Sequence, residues 1–239
     1  MPALTLITPT GGRPQAWALC QRWMATQDYD GPVHWIVVDD GPVAQAIEFA
    51  RPEWKLEVIR PEPLWQPGQN TQSRNLLVGL DHVRGNGPVL IIEDDDHYAP
   101  TWLSTAAAAL EHADLVGETR ARYYNVATRH WREHGNETHA SLCATGVTGA
   151  AVGMLRGCCL VPTQFIDIVL WGKYLGPRQL FEGHQVTGIK GLPGREGIGI
   201  GHHQDFARAS YPDPEGEKLH AWLGEDADAY VALMASLAG

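Results

Sequence analysis

The sequence predicts an α/β domain in which a central, mostly parallel sheet is covered by helices, and two observations predict it. Over about the first hundred residues, short β-branched and apolar runs alternate with segments whose apolar positions recur at helical spacing. Three polar clusters, Thr8 to Arg13, Asp39-Asp40 and Glu93 to Asp96, each close one of those apolar runs. Open parallel sheets bind ligands beyond the carboxyl ends of their strands, so the clusters are expected to converge on one edge.

Ala3 to Thr8 reads as a buried strand, and Pro9-Thr10-Gly11-Gly12-Arg13-Pro14 as a turn rich in residues that break regular structure. A helix follows from about Gln15 to Thr26, with Trp17, Leu19, Cys20, Trp23 and Met24 spaced for packing. Val33 to Val38 is the next strand, ending in Asp39-Asp40-Gly41, and Val43 to Ala50 is expected to be helical. Leu56 to Arg60 reads as a third strand, Pro61 to Gly68 as a loop, and Thr71 to Leu80 as a helix capped by Asn70 or Thr71. Val89 to Ile92 is the fourth strand, and Thr101 to His112 a helix whose alanines pack.

Beyond residue 112 the pattern becomes less regular. Tyr123 to His134 is rich in aromatic and basic residues, Thr145 to Gly153 in small ones, and Gly188 to Gly201 carries six glycines. Glycines at that density predict a flexible loop, one that also carries Lys190, Arg195, His202 and His203 and is suited to closing over a charged ligand. From about Pro214 an acidic helical tail is expected to pack on the rest. With no repeat and no linker in view, residues 1–239 read as a single domain: about 1–100 and 101–213 as its two halves, and 214–239 as the tail.

Composition narrows the function. A net charge of −10 argues against broad electrostatic capture of nucleic acid, though not against a local basic patch. Cys20, Cys143, Cys158 and Cys159 lack paired CxxC spacing, so reduced thiols in a reducing compartment fit, and a metal held by cysteines does not. No apolar run approaches the ~18 residues that span a bilayer, and the amino terminus does not read as a signal segment. The expectation is a soluble, cytoplasmic protein without a membrane partner; the oligomeric state is open.

The strongest chemical feature is Ile91-Ile92-Glu93-Asp94-Asp95-Asp96, a buried-strand pattern running into four acids. Adjacent carboxylates repel, and their oxygens are the ligands that hard divalent ions take. This strand end is therefore a candidate site for Mn²⁺ or Mg²⁺.

These residues, in this order, resemble the GT-A fold glycosyltransferases, and in particular the large inverting superfamily that uses nucleotide-diphosphate sugars. The resemblance is carried by Thr8-Pro9-Thr10 with Arg13-Pro14, by Val38-Asp39-Asp40-Gly41, by Ser73-Arg74-Asn75 before Gly79-Leu80, and by Ile92-Glu93-Asp94-Asp95-Asp96 before Pro100. It implies a Rossmann-like GT-A domain. It implies further that Thr8, Pro9, Thr10 and Arg13 border the nucleotide, that Asp39 or Asp40 meets the base, and that Arg74 and Asn75 lie near base and ribose. The DxD motif falls on Glu93-Asp94-Asp95, with Asp95 as the metal ligand. Glutamate replaces the first aspartate, so either Glu93 reaches further or Asp94 and Asp96 form the working pair.

In the acceptor half, Ile166-Asp167-Ile168-Val169-Leu170-Trp171 keeps the aspartate, leucine and tryptophan of the family's base-bearing segment but not its glutamate. Asp167 is the first candidate for general base and Glu182 the second, since an inverting transfer needs one carboxylate to take the acceptor proton. The resemblance implies a late histidine as a further metal ligand, His202 or His203, and places Lys190 and Arg195 at the phosphates. The stretch Gly188 to His202 is also similar to one in tailed-bacteriophage glycosyltransferases, several of which act on hydroxymethylated pyrimidines in DNA.

The expected reaction is therefore metal-dependent inverting transfer from a UDP-sugar, with a 5-hydroxymethylpyrimidine in DNA as first acceptor and a saccharide or small hydroxylated molecule as second. For DNA, the Arg120 to Arg132 stretch, with Arg122, Tyr123, Tyr124, Arg129, His130, Trp131 and Arg132, would supply phosphate contacts and stacking. A phage source would put the protein in the host cytoplasm. Two other classes stay open: a sugar-phosphate nucleotidyltransferase, for which Thr10-Gly11-Gly12-Arg13 only partly imitates the phosphate loop, and a non-catalytic sugar-nucleotide-binding module.

Overall fold

The structure, a computed structural model, describes residues 1–161, 163, 165–195, 197, 202 and 204–237. Strand β1 (Leu4–Thr10) is almost wholly buried, and the chain turns through Gly11 and Gly12 into α1 (Pro14–Ala25). Proline suits the first helical position, where its missing N–H would have no partner anyway. Trp17, Cys20, Trp23 and Met24 are buried as their spacing predicts, and Leu19 packs at the margin of the core. β2 (Val33–Asp39), β3 (Lys55–Ile59), α2 (Gln72–Asp81) and β4 (Val89–Ile91) continue the alternation close to the expected bounds.

The helix expected over Val43 to Ala50 is absent, and this stretch is irregular. Side chains bond its backbone instead: Asp39 Oδ2 accepts from Gln45 N–H at 2.8 Å, Gln21 Oε1 from Glu48 N–H at 2.7 Å, and Ala46 carbonyl from Trp17 Nε1 at 2.7 Å. Groups that a helix would pair internally are thereby already satisfied. On α2, Gly79 serves close approach, because a Cβ there would lie 2.5 Å from Ile7 Cγ2 on β1.

After β5 (His97–Tyr98) and α3 (Trp102–Ala109), shorter than the expected helix to His112, the chain is more regular than its sequence suggests. β6 (Leu115–Glu118), β7 (Arg122–Asn125), β8 (His130–Glu133) and β9 (Thr145–Val147) are followed by α4 (Gly149–Cys159), α5 (Ile166–Lys173), β10 (Arg178–Phe181) and β11 (Val186–Lys190). The flexible loop expected from Gly188 is corrected here, since Gly188 to Lys190 belong to a fully buried strand. A Cβ on Gly188 would meet the Tyr123 ring at 2.5 Å, so glycine there permits contact between strands. β12 (Tyr211–Pro212) precedes α6 (Glu217–Leu223) and α7 (Ala227–Leu237), the expected acidic tail, which docks through Trp23 Nε1 donating to Tyr230 Oη at 2.8 Å.

A seven-stranded sheet has the order β10-β6-β9-β4-β1-β2-β3, in which β9 alone runs antiparallel to its neighbours. A second sheet, β12-β8-β7-β11-β5, stands beyond it. Parallel pairing of β1 with β2 and β4 sets Thr10, Asp39 and Ile91 at one edge. There, Gly11 and Gly41 are in contact: a Cβ on Gly11 would lie 2.4 Å from Gly41 N, and Gly11 has φ +143°. All four cysteines are free and buried, as expected. Among the described residues no helix is long and apolar enough to cross a membrane.

Candidate functional site

The acids that end β4 form a buried turn, and the protein's own cations neutralise it. Asp94, Asp95 and Asp96 are each less than 5% exposed. Arg13 pairs with Asp94 and, through Nη1 at 3.0 Å, with Asp95 Oδ2. Asp94 Oδ2 also accepts from Thr10 Oγ1 at 2.6 Å. Lys190 Nζ lies 3.0 Å from Asp96 Oδ1 and 3.6 Å from Asp95 Oδ2, and His202 Nε2 lies 3.3 Å from the same Asp95 oxygen. Three cationic or ionisable nitrogens thus converge on one oxygen. Burial penalises the Asp95 carboxylate, but Lys190, Arg13 and His202 outweigh it and hold its pKa well below the usual range. Burial, reinforced by Asp96, instead pushes Glu93 up to about 8. Burial lowers His202, against the pull of Asp95.

The end of β2 builds a second network. Asp40 is fully buried; its Oδ1 accepts from Arg195 Nη1 at 2.7 Å and its Oδ2 from Arg74 Nη2 at 2.9 Å and from the Thr71 hydroxyl. Arg195 also donates to Thr71 Oγ1 at 2.7 Å and lies over the Trp65 ring at 4.7 Å. Asp39 instead fixes the chain after β2, because its oxygens accept from Arg60, Gly41 N–H and Gln45 N–H. The cap expected on α2 is indirect, with Asn70 Oδ1 accepting from Gln72 N–H at 3.1 Å.

Both networks border one cavity of about 440 Å³. Pro9, Thr10, Arg13, Asn75, Glu93, Asp95, Lys190, Arg195 and His202 line it, and so does Asp167, whose charge helps to raise the pKa of Glu93. Thr8, Asp39, Asp40, Arg74, Asp94 and Asp96 stand behind that wall; Thr8 is wholly buried and accepts from Trp35 Nε1. Of the alternatives left open for the acids, Glu93 and Asp95 face the cavity, and Asp94 and Asp96 do not. Glu182 is not brought to the cavity: it is exposed and pairs with Arg120 at 3.0 Å. His203 lies outside the described residues.

Asp167 sits in the first turn of α5, and its Oδ1 accepts from Ile168 N–H at 2.9 Å. Burial raises its pKa against that bond and against His139, so its carboxylate is more basic than a solvated one. Tyr123, Arg132, His134, His139, Ser141 and Cys143 line the same cavity. The continuous basic and stacking surface expected over Arg120 to Arg132 is not formed. Tyr124 is buried, Trp131 stacks on Tyr211 at 4.8 Å, Arg129 donates to Pro214 and Met234 carbonyls, and Arg122 pairs with Glu133. Of the aromatic and basic residues in that stretch, only Tyr123 and Arg132 reach the cavity.

The residues present fit a divalent ion. Glu93 and Asp95 face the cavity with carboxylate oxygens, and the imidazole of His202 adjoins them. Behind them, Asp96 Oδ2 is buried without a hydrogen-bond partner, and ligand atoms of Glu93, Asp96 and Cys143 lie within 4.8 Å of one another. Oxygen-rich donor sets of this kind suit Mg²⁺ and Mn²⁺. Sequence reasoning missed Gln72, whose Nε2 donates to Glu93 at 2.7 Å, and Thr71, Trp65, His139 and Cys143. Gln72 adjoins the Ser73-Arg74-Asn75 motif, which was a usable signal; the others reach the site by folding alone.

No protein-family model matches the chain, and no curated protein is significantly similar to it. Solved structures are. TarS 1–349 of S. aureus in complex with UDP-GlcNAc aligns with a TM-score of 0.55 at 16% identity, over 98% of this chain and 72% of that one. The mannosyltransferase PcManGT of Pyrobaculum calidifontis, in complex with GDP-Man and Mn²⁺, aligns with a TM-score of 0.53 at 15% identity, over 99% and 74%. The UDP complex of TarS 1–349 aligns at 0.55 and 15% identity over 78% of this chain. That alignment spans 60% of TarS 1–349, and another spans 38% of a longer TarS chain. At these identities the likeness is one of fold, and the fold is the GT-A fold of glycosyltransferases.

Proposed function

We propose, from a fold shared with glycosyltransferases solved with nucleotide sugars, that this chain is a metal-dependent inverting glycosyltransferase using a nucleotide-diphosphate sugar, a UDP-sugar first. One observation carries the reading: a single cavity is lined both by the acids and cations at the end of β4 and by a carboxylate made more basic by burial, Asp167. Metal-binding acids and a candidate base in one cavity are what a donor and an acceptor need.

In this reading Asn75 borders the base, with Asp40 behind the wall holding Arg74, Thr71 and Arg195 in place, and Arg13, Lys190 and Arg195 border the phosphates. Glu93, Asp95 and His202 would hold the divalent ion, which when bound neutralises charge on the leaving diphosphate. Asp167 accepts the proton of the acceptor hydroxyl as its oxygen bonds to the anomeric carbon. The bond from that carbon to the phosphate oxygen breaks on the opposite face, and a nucleoside diphosphate leaves.

The acceptor is read as a hydroxylated molecule, with 5-hydroxymethylpyrimidine in DNA the first to test, supported by Tyr123 and Arg132 on the cavity wall. A panel of nucleotide sugars scored by thermal shift with and without Mn²⁺ tests the donor, since a ligand of the folded state raises the melting temperature. Product mass on modified-base DNA then tests the acceptor. A shift from one nucleotide sugar that depends on Mn²⁺ is expected. Pyrophosphate release from a nucleoside triphosphate and a sugar phosphate would replace the reading with nucleotidyl transfer.

A further inference from the structure

We propose that the cavity contains, beside Asp167, an oxyanion subsite formed by Arg132, His134 and His139, so that the acceptor carries a phosphate or carboxylate close to its reacting hydroxyl. The acceptor clause rests on the function proposed above; the subsite itself does not.

Charge along the cavity wall is unevenly matched. Arg13, Lys190 and Arg195 all have carboxylate partners. Arg132, on β8 opposite Tyr123, lines the same cavity, and among the described residues its guanidinium has no ion pair or hydrogen bond. The acids around it are engaged elsewhere. Glu133, its neighbour on the strand, pairs with Arg122 at 3.5 Å, while Glu137 and Glu182 both turn to Arg120, at 3.7 and 3.0 Å. Asp167 lines the cavity as well, and the base role keeps it for the acceptor proton.

Two imidazoles line the cavity with Arg132. His134 packs edge-on to Tyr123 at 5.1 Å, and burial, then Arg132 and His139, lower its pKa, so it enters neutral with one ring N–H to donate. His139 is placed by its loop, since its carbonyl accepts from Asn136 Nδ2 at 2.8 Å. A guanidinium fork beside two imidazole donors suits an anion with several acceptor oxygens, because charge-assisted bonds to such groups are short and strong. Phe165 and Ile168, 40% and 50% exposed, line the same cavity and offer an apolar flank to the body of the acceptor.

The test is a titration of the full chain with inorganic phosphate, and separately with acetate, at constant ionic strength against chloride, read on the histidine ring resonances by NMR. Saturable shifts of the His134 and His139 signals are expected at millimolar anion, weakened at least about tenfold by Arg132→Gln and less by Arg132→Lys. Saturation by phosphate alone assigns a phosphorylated acceptor, and by acetate alone a carboxylated one. Signals that follow chloride, or that shift equally in Arg132→Gln with unchanged circular dichroism, would overturn the subsite. The Mn²⁺-dependent thermal shift from a nucleotide sugar reports on the donor reading independently. Anion binding without that shift from any nucleotide sugar would keep the subsite and remove the transferase.

Discussion

Asp40 and Arg195, 155 positions apart in the chain, are joined by a 2.7 Å bond between Oδ1 and Nη1, and the carboxylate that accepts it is wholly buried. The same carboxylate holds Arg74 and Thr71 through its other oxygen. Removing one partner of a buried ion pair leaves the other charge uncompensated, at a cost of about 3–5 kcal/mol. Asp40→Ala is therefore expected to lower unfolding free energy by about 3 kcal/mol in urea denaturation. Arg195→Ala, whose loss leaves Arg74 and Thr71 in place, is expected to cost less.

The acid turn should be stable without metal. Arg13 and Lys190 already offset much of its charge and His202 lies against Asp95, so chelation is expected to leave the melting temperature of the free protein unchanged. The thermal shift caused by a nucleotide sugar should disappear under the same chelation. A large fall in the melting temperature on chelation alone would mean that the ion is structural.

Asp167→Asn tests the base. Loss of a general base costs roughly 10²–10⁴ in rate, so transfer should fall by that order while the donor-induced thermal shift persists. Glu182→Gln should leave both unchanged, because Glu182 is exposed beside Arg120 and away from the cavity. Equal losses in the two variants would sink the assignment.

Glu118 predicts a pH dependence of stability. Its carboxylate is 3% exposed; burial pushes its pKa from 4.5 to about 7, although Gln185 and Val186 N–H groups donate to it. The folded chain thus holds this proton more tightly than the unfolded chain. The resulting stability is fully present below pH 4.5 and lost as pH rises through about 7. Glu118→Gln should flatten that part of the melting-temperature profile, and an identical slope in both proteins would contradict the assignment.

Gly79→Ala should destabilise by about 1–3 kcal/mol, the usual cost of overpacking. The new methyl would lie 2.5 Å from Ile7 Cγ2, an atom on a stiff β-branched side chain. Urea denaturation measures it, and a neutral result would show that α2 can move off the sheet.

The strand-helix alternation was legible because buried parallel strands read as unbroken apolar runs, and the acids closing Ile91-Ile92 announced a site. What partners those acids was not legible, since Arg13, Lys190 and His202 come from distant segments. Val43 to Ala50 misled because its helical spacing is overridden by bonds from Asp39, Gln21 and Trp17. Strands of two to four residues, such as β5 and β7, are too short to show a period. Arg122, Arg129 and Trp131 looked like a contact surface, yet each is spent inside the protein.

The reversed direction of β9 has a further consequence. Its neighbours β4 and β6 end at the cavity, but β9 begins there, so the wall at Ser141 to Cys143 is supplied by chain arriving from outside the sheet. The pairs Leu90↔Gly146 and Val116↔Gly146 anchor this strand whatever the length of the segment before it. Insertions or deletions between His134 and Ser141 can therefore reshape the wall that Asn136 and His139 supply while the register of β9 holds, so this part of the lining is free to vary without unmaking the sheet.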